Sequence, residues 1–165
     1  MQSTNNQSIQ SQEFAAQLNK PVLQFGSKGN EVKELQKLLI HWNYLPYDFP
    51  IDGYFSKYVQ QAVTAFQYRM FLKSDGIVGQ LTWKALYTGA PVNMPTLQKG
   101  SQGEVVKTLQ RALRDAGVYY GAMDGIFGEV TAAAVRAIQK NSGLVADGIV
   151  GNKTWYALSK INARV

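Results

Sequence analysis

Apolar residues recur at three- and four-residue spacing in six short stretches of the chain. In the second half, Val105, Val106, Leu109, Ala112 and Leu113 mark one face of a helix. Gly117 follows where its C-cap would fall. A second amphipathic run begins near Glu129, with Val130, Ala134, Val135 and Ile138 on its inner face, and Asn141-Ser-Gly143 ends it. A third begins near Asn152 and buries Trp155, Leu158 and Ile161. The first half repeats the pattern with Val32, Leu35, Leu38 and Leu39, then Ala62, Val63 and Phe66, then Trp83 and Leu86. The pattern predicts an all-α chain with three short helices in each half. Trp83 and Trp155 belong in the two cores.

The halves are copies of one unit. Leu23-Gln-Phe-Gly-Ser-Lys-Gly29 recurs as Leu97-Gln-Lys-Gly-Ser-Gln-Gly103, and Val32-Lys33, Leu35-Gln36 and Leu39 recur as Val106-Lys107, Leu109-Gln110 and Leu113. Beyond a two-residue excess around Pro46–Phe49, Asp52-Gly53 matches Asp124-Gly125, and Asp75-Gly-Ile-Val-Gly79 matches Asp147-Gly-Ile-Val-Gly151. A repeat of this length predicts two domains of one kind. Their bounds read as a flexible lead-in over 1–19, a first module over 20–88, a linker over 89–95 and a second module over 96–165. Two prolines and a glycine in Thr88-Gly-Ala-Pro-Val-Asn-Met-Pro95 stop any helix there. The lead-in is rich in Gln, Ser and Asn. Phe14, Ala15 and Leu18 give it a weak apolar pattern that suggests a short helix.

A recurring turn joins the helices: Asp-Gly, two apolar residues, Gly or Ser, then Thr three residues on. Asp caps its own backbone and Gly accepts a positive φ. The apolar pair is expected to tuck into the core, and the next Gly or Ser to cap the following helix. Ser56 stands where the second module has Gly128, and Val59 where it has Thr131. Gln36, Gln67, Gln110 and Gln139 recur on the helices. They read as amides that satisfy loop backbone groups, with ligand contact the alternative.

Composition narrows the function. Hydrophobic residues make up 45% and charged residues 17% of the chain, a globular balance. The absence of cysteine excludes disulfides and thiol nucleophiles. The formal net charge is +6, shared between the halves, which suits an anionic polymer. Lysines and arginines are scattered rather than gathered on a recognition helix, so nucleic acid is not the expected partner. No apolar run approaches the roughly 20 residues of a membrane span. The N-terminus has neither the basic nor the apolar region of a signal peptide.

An enzyme would need a constellation that is missing. His41 is the single histidine and reads as a surface residue late in the first helix. It cannot supply a zinc site by itself, and no nucleophile elbow or phosphate loop accompanies it. Asp52, Asp75, Asp124 and Asp147 are the recurring acids, but the Asp-Gly turn explains each. No metal and no cofactor is expected.

The strings Gly-Ser-x-Gly-x-x-Val-x-x-Leu-Gln, Asp-Gly-x-Phe-Gly-x-x-Thr-x-x-Ala-Val-x-x-Ile/Phe-Gln and Asp-Gly-Ile-Val-Gly-x-x-Thr-Trp resemble the peptidoglycan-binding domain family of three-helix modules. The resemblance covers residues 23–160. It implies two tandem orthogonal three-helix bundles and non-catalytic binding of cell-wall peptidoglycan, glycan or stem peptide. It also implies a targeting or anchoring role beside a wall hydrolase or other wall protein, in the cell wall, the periplasm or the extracellular space. A protein–protein adaptor using the same groove for a peptide is the alternative. The aromatics after helix one (Trp42, Tyr44, Tyr47, Phe49 and Tyr54) exceed what a small core requires, and Tyr119 and Tyr120 occupy the corresponding stretch. The expected ligand surface in each module is therefore a shallow groove. Tyr44, Tyr47, Asp52, Tyr54 and Asp75 would line the first, and Tyr119, Tyr120, Asp124 and Asp147 the second.

Overall fold

The computed structural model describes residues 19–162, so the expected helix at Phe14, Ala15 and Leu18 lies outside the described residues. Six helices follow one another: α1 Asn30–His41, α2 Lys57–Arg69, α3 Gln80–Thr88, α4 Glu104–Asp115, α5 Glu129–Asn141 and α6 Asn152–Asn162. Among the described residues there is no strand, only four isolated bridges. The helices form two compact units, one of α1–α3 up to Gly89 without Arg69–Phe71, the other of α4–α6 from Ala90 together with Arg69–Phe71. The fold is all-α, two tandem three-helix modules.

The helix ends follow from the turn chemistry. Gly79 and Gly128 cap α3 and α5 in extended conformation. Ser56 caps α2, its Oγ accepting from the Val59 N–H at 3.4 Å. Gly117 takes φ +80° just past α4, as its place in the sequence predicts.

Each module is laced to its own leading segment. The Leu23 and Val78 backbones exchange hydrogen bonds of 3.1 and 2.8 Å, and Leu97 and Val150 exchange bonds of 3.0 and 2.8 Å. The indole N–H of Trp83 donates to the Pro21 carbonyl at 2.9 Å, and that of Trp155 to the Pro95 carbonyl at 2.9 Å. Both tryptophans are buried with the helix stripes around them, Val32, Leu35, Leu39, Val63 and Phe66 in the first module and Val106, Leu109, Leu113, Val135 and Ile138 in the second. Each buried aromatic removes some 150–250 Å² from water, which makes these rings the largest single contributors to their cores.

Two inner-face assignments fail. Val130 is 62% exposed, and Val105 lies at the surface. On α5 the buried stripe runs through Thr131, Ala134, Val135 and Ile138. Val130 precedes Thr131 by one residue, about 100° around the helix, and so faces solvent. Thr131 holds the inward position because a polar partner is needed there, as described below.

The first module carries a polar clasp. Lys20 Nζ lies 2.7 Å from Glu34 Oε2, and the Tyr87 hydroxyl donates to Glu34 Oε1. The second module has Met94, Thr108 and Ser159 at the matching positions and cannot form it. Partial burial would raise the Glu34 pKa. The bonds from Lys20 and Tyr87 and the charges of Lys20 and Lys37 outweigh that and hold it below its ordinary value. A depressed carboxylate pKa adds stability above the unfolded value, and that stability is lost as pH falls through the folded value. Glu34→Gln is therefore expected to cost about 0.5–1 kcal/mol near neutral pH, a figure discounted for the exposure of the pair. The difference from the parent chain should close in urea titrations as pH falls through the depressed pKa of folded Glu34. A difference that stays constant with pH would show that the clasp acts through shape alone.

Candidate ligand-binding site

Four turns of one design organise both modules. In the turn before α5, Gln110 is fully buried. Its Oε1 accepts from the Gly125 N–H at 3.0 Å. Its Nε2 donates to Asp124 Oδ1 at 3.1 Å, the Ile126 carbonyl at 3.0 Å and Thr131 Oγ1 at 3.1 Å. Asp124 Oδ1 also accepts from the Ile126 N–H at 3.0 Å. Gln139 repeats this set on Gly148, Asp147, Ile149 and Thr154, and Gln67 on Gly76, Asp75, Ile77 and Thr82. Gln36 makes the same bonds to Gly53, Asp52 and Tyr54, but Val59 stands where the threonine would be. The glutamines thus satisfy loop backbone groups.

Gly125 must be glycine for two reasons. Its φ is +74°, and an added Cβ would lie 3.0 Å from the Gly103 carbonyl oxygen. The turn carboxylates also serve the fold. The bond from Gln36, then that from the Tyr54 N–H, holds Asp52 below its ordinary pKa. For Asp124 the Ile126 N–H comes first and Gln110 second.

The apolar pair after each Asp-Gly does not bury as a pair. The second members, Phe55, Val78, Phe127 and Val150, are buried, whereas the first, Tyr54, Ile77, Ile126 and Ile149, are 38–52% exposed. Successive side chains of extended backbone point to opposite sides. Each turn therefore leaves one large apolar side chain at the surface.

The turns before α3 and α6 use that side chain to line a groove. The groove in the second module, about 470 Å³, runs between Leu144, Val145, Asp147, Ile149 and Lys153 over the buried Gln139 and Thr154. Its counterpart in the first module, about 300 Å³, runs between Leu72, Lys73, Asp75, Ile77 and Leu81 over Gln67 and Thr82. Nearly every lining position of one matches a lining position of the other at the repeat offset. Among the sequence-predicted residues, Asp75 and Asp147 lie here. Leu72, Leu144, Ile77 and Ile149 were missed. The signal was available in the repeated Ile of Asp-Gly-Ile-Val-Gly.

The predicted aromatics do not gather on matching surfaces. Tyr44 lines a separate cavity of about 500 Å³ with Pro46, Phe49 and Tyr58, and its ring meets Phe66 edge-on at 5.5 Å. Tyr47 and Tyr120 are 92% and 89% exposed, and the Tyr120 hydroxyl donates to the Gly117 carbonyl at 2.7 Å. Tyr54 stands partly exposed beside Lys28, whose ammonium lies 5.9 Å from the ring centroid.

Tyr119 departs from expectation. It is buried in the second core, and its hydroxyl donates to the Ala122 carbonyl. The Tyr44 and Val118 N–H groups both bond the last leucine carbonyl of the preceding helix face, Leu39 and Leu113. Tyr119 therefore corresponds to the buried Leu45 and not to Tyr44. A ring held there has no free face to offer, and its removal would open the core. Trp42 is also structural: its indole N–H donates to the Leu86 carbonyl at 2.7 Å. His41 is exposed at the end of α1, its ring edge-on to Trp42.

Among the described residues no group of three or more His, Cys, Asp or Glu side chains is placed to hold a metal. None of their helices is long and apolar enough to cross a membrane.

The sequence matches known proteins over both modules. The family model described as "Putative peptidoglycan binding domain" matches residues 28–86 and 102–158. The N-acetylmuramoyl-L-alanine amidase CwlM of Mycobacterium tuberculosis is 40% identical over 116 residues, 67% of this chain and 29% of that protein. The N-acetylmuramoyl-L-alanine amidase CwlL of Bacillus licheniformis is 34% identical over 157 residues, 81% of this chain and 44% of that protein. The chain thus spans less than half the length of either relative. A crystal structure of the SleB N-terminal domain is 40% identical and covers 42% of this chain and 96% of that one, with a TM-score of 0.41. With two matched copies across most of its length, the chain belongs to the peptidoglycan-binding domain family.

Proposed function

We propose that this chain binds cell-wall peptidoglycan without cleaving it, through the paired grooves before α3 and α6, and so targets or anchors a wall protein. The observation that carries the reading is the recurrence of one groove at matching positions in both modules. A repetitive polymer rewards such duplication, because two weak sites that engage together gain avidity. Asp75 and Asp147 border the grooves. Tyr44 lines its own cavity, and Tyr47, Asp52, Tyr54, Tyr120 and Asp124 would touch polymer beyond the groove edges. Tyr119 would act only through the core it fills. The amidases named above suggest the setting, a hydrolase or other wall protein acting at the cell wall or outside the cell. The sequence favours a non-catalytic role, because its single histidine and its turn-bound aspartates supply no general acid–base pair.

Co-sedimentation with insoluble peptidoglycan tests this. Retention is expected to survive about 150 mM salt, where charge alone is screened over roughly 8 Å, and DNA-cellulose should release the chain under the same conditions. The combined Ile77→Ser and Ile149→Ser variant should bind severalfold more weakly with its melting curve little changed. Equal release from both supports as salt rises would leave only bulk charge at work and would remove the wall-binding reading.

A further inference from the structure

The two grooves differ in one systematic way. The first has Lys73 at the position where the second has Val145, and Leu81 where the second has Lys153. A lysine and an aliphatic side chain have exchanged places: Lys73 precedes its Asp-Gly turn, whereas Lys153 follows its turn at the start of α6. Each groove presents one ammonium, one turn carboxylate and exposed aliphatic side chains, Val22, Ile77 and Leu81 at 62%, 39% and 48% in the first and Val145 and Ile149 at 81% and 40% in the second. Both lysines are exposed, and neither takes part in an ion pair among the described residues. No aromatic ring lines either groove. A sugar ring prefers an aromatic face to stack upon, and these walls offer none. They offer what a short peptide with a free carboxylate needs, namely a cation for the carboxylate and methyl-sized apolar contacts for small side chains.

We infer that each groove takes the peptide stem of the polymer and not its glycan, with Lys73 binding a stem carboxylate from before the Asp-Gly turn of its module and Lys153 from after that of its own. This rests on the peptidoglycan-binding reading above and narrows it to one part of the ligand. The exchange of places means that the two modules hold the same stem carboxylate differently, or read two different carboxylates of it. Either way each module depends on its own lysine. The aromatic cavity of Tyr44, Phe49 and Tyr58 would suit a sugar, and its three rings have no counterparts in the second module, where Val118, Gly121 and Val130 stand at the matching positions.

The experiment uses the full chain and two insoluble supports, intact peptidoglycan and the same material stripped of its stems by an amidase. The parent chain should pellet with the first at moderate salt and bind the second at least tenfold more weakly. Lys73→Met and Lys153→Met together should lower affinity for the intact support by about tenfold or more, since a charge-assisted bond is lost from each groove. Lys37→Met with Lys57→Met removes the same charge from α1 and α2 and should leave affinity within about twofold. Equal binding to intact and stripped supports would overturn the inference while leaving peptidoglycan binding in place, and would direct attention to the Tyr44 cavity. An equal loss in the control pair would overturn it as well, by showing that only net charge matters. Failure to bind either support would remove the parent reading itself and the inference with it.

Discussion

Replacing Gln110 by Leu is expected to lower the unfolding free energy of the second module by about 3 kcal/mol, although the side chains are nearly equal in size. The amide of Gln110 touches no ligand surface. It joins helix α4 to the turn that starts α5 through Gly125, Asp124, Ile126 and Thr131. Leucine fills the space but leaves the Gly125 N–H, the Ile126 carbonyl and the Thr131 hydroxyl without this partner. A buried group left so costs about 1–3 kcal/mol. Water compensates partly at the surface end of the turn, which keeps the sum below the simple total. Gln110→Glu should cost more at neutral pH. An ionised carboxylate only accepts, and it would face Asp124 Oδ1 and a carbonyl oxygen. Acidification should recover part of that loss as the new carboxyl gains a proton. Gln36→Leu should cost less than Gln110→Leu, because Val59 leaves no hydroxyl to orphan. The quantity to follow is the urea midpoint at constant m-value. A Gln110→Leu chain as stable as its parent would mean that the turns hold themselves and the glutamine is ornamental.

The same residues show why the fold was legible and the ligand surface less so. Helices declare themselves through local periodicity, and Asp-Gly turns through backbone chemistry that needs no partner. α5 and α6 accordingly begin at Glu129 and Asn152, where the apolar runs and turn residues place them. Long-range satisfaction is not periodic. Val130 outranks Thr131 in hydrophobicity, yet Thr131 is the buried one, because a glutamine twenty-one residues earlier in the chain needs its oxygen. Tyr119 misled for a related reason. The repeat slips by two residues within that loop, and only the backbone bonds to Leu39 and Leu113 fix which residue of each copy turns inward. The grooves were hidden in the word "apolar". Ile77 and Val78 are indistinguishable by composition, but extended backbone sends one outward at 39% exposure and the other into the core. Exposed isoleucines repeated at the same place in two copies are the trace that the proposed ligand surface leaves in this sequence.

A second large effect is expected from Gly89→Ala, about 3–4 kcal/mol of lost stability in the first module. Gly89 ends α3 at φ +68°, its N–H bonded to the Ala85 carbonyl at 2.7 Å. Alanine in that conformation costs about 1 kcal/mol by itself. Most of the loss comes from Trp42: a Cβ at Gly89 would lie 2.3 Å from one ring carbon and 2.6 Å from the next. The ring cannot simply step aside. Its indole N–H is held by the Leu86 carbonyl, so displacement forfeits that bond, and overpacking of this kind costs about 1–3 kcal/mol more. The second module shows the complementary solution. Ala116 and Ile161 stand at the positions of Trp42 and Gly89, and both pack against its core. Bulk at the end of the first helix has been traded for bulk at the end of the third. The prediction therefore has an internal control. In a Trp42→Ala background, Gly89→Ala should cost only the backbone strain, about 1 kcal/mol, and the coupling energy of the cycle should be about 2 kcal/mol. Gly100→Ala, at φ +99° with no atom within 4 Å of the added carbon, should likewise show the backbone cost alone. If Gly89→Ala costs the same with and without the indole, the contact with Trp42 does not constrain this position, and the traded volumes of the two modules have no energetic meaning.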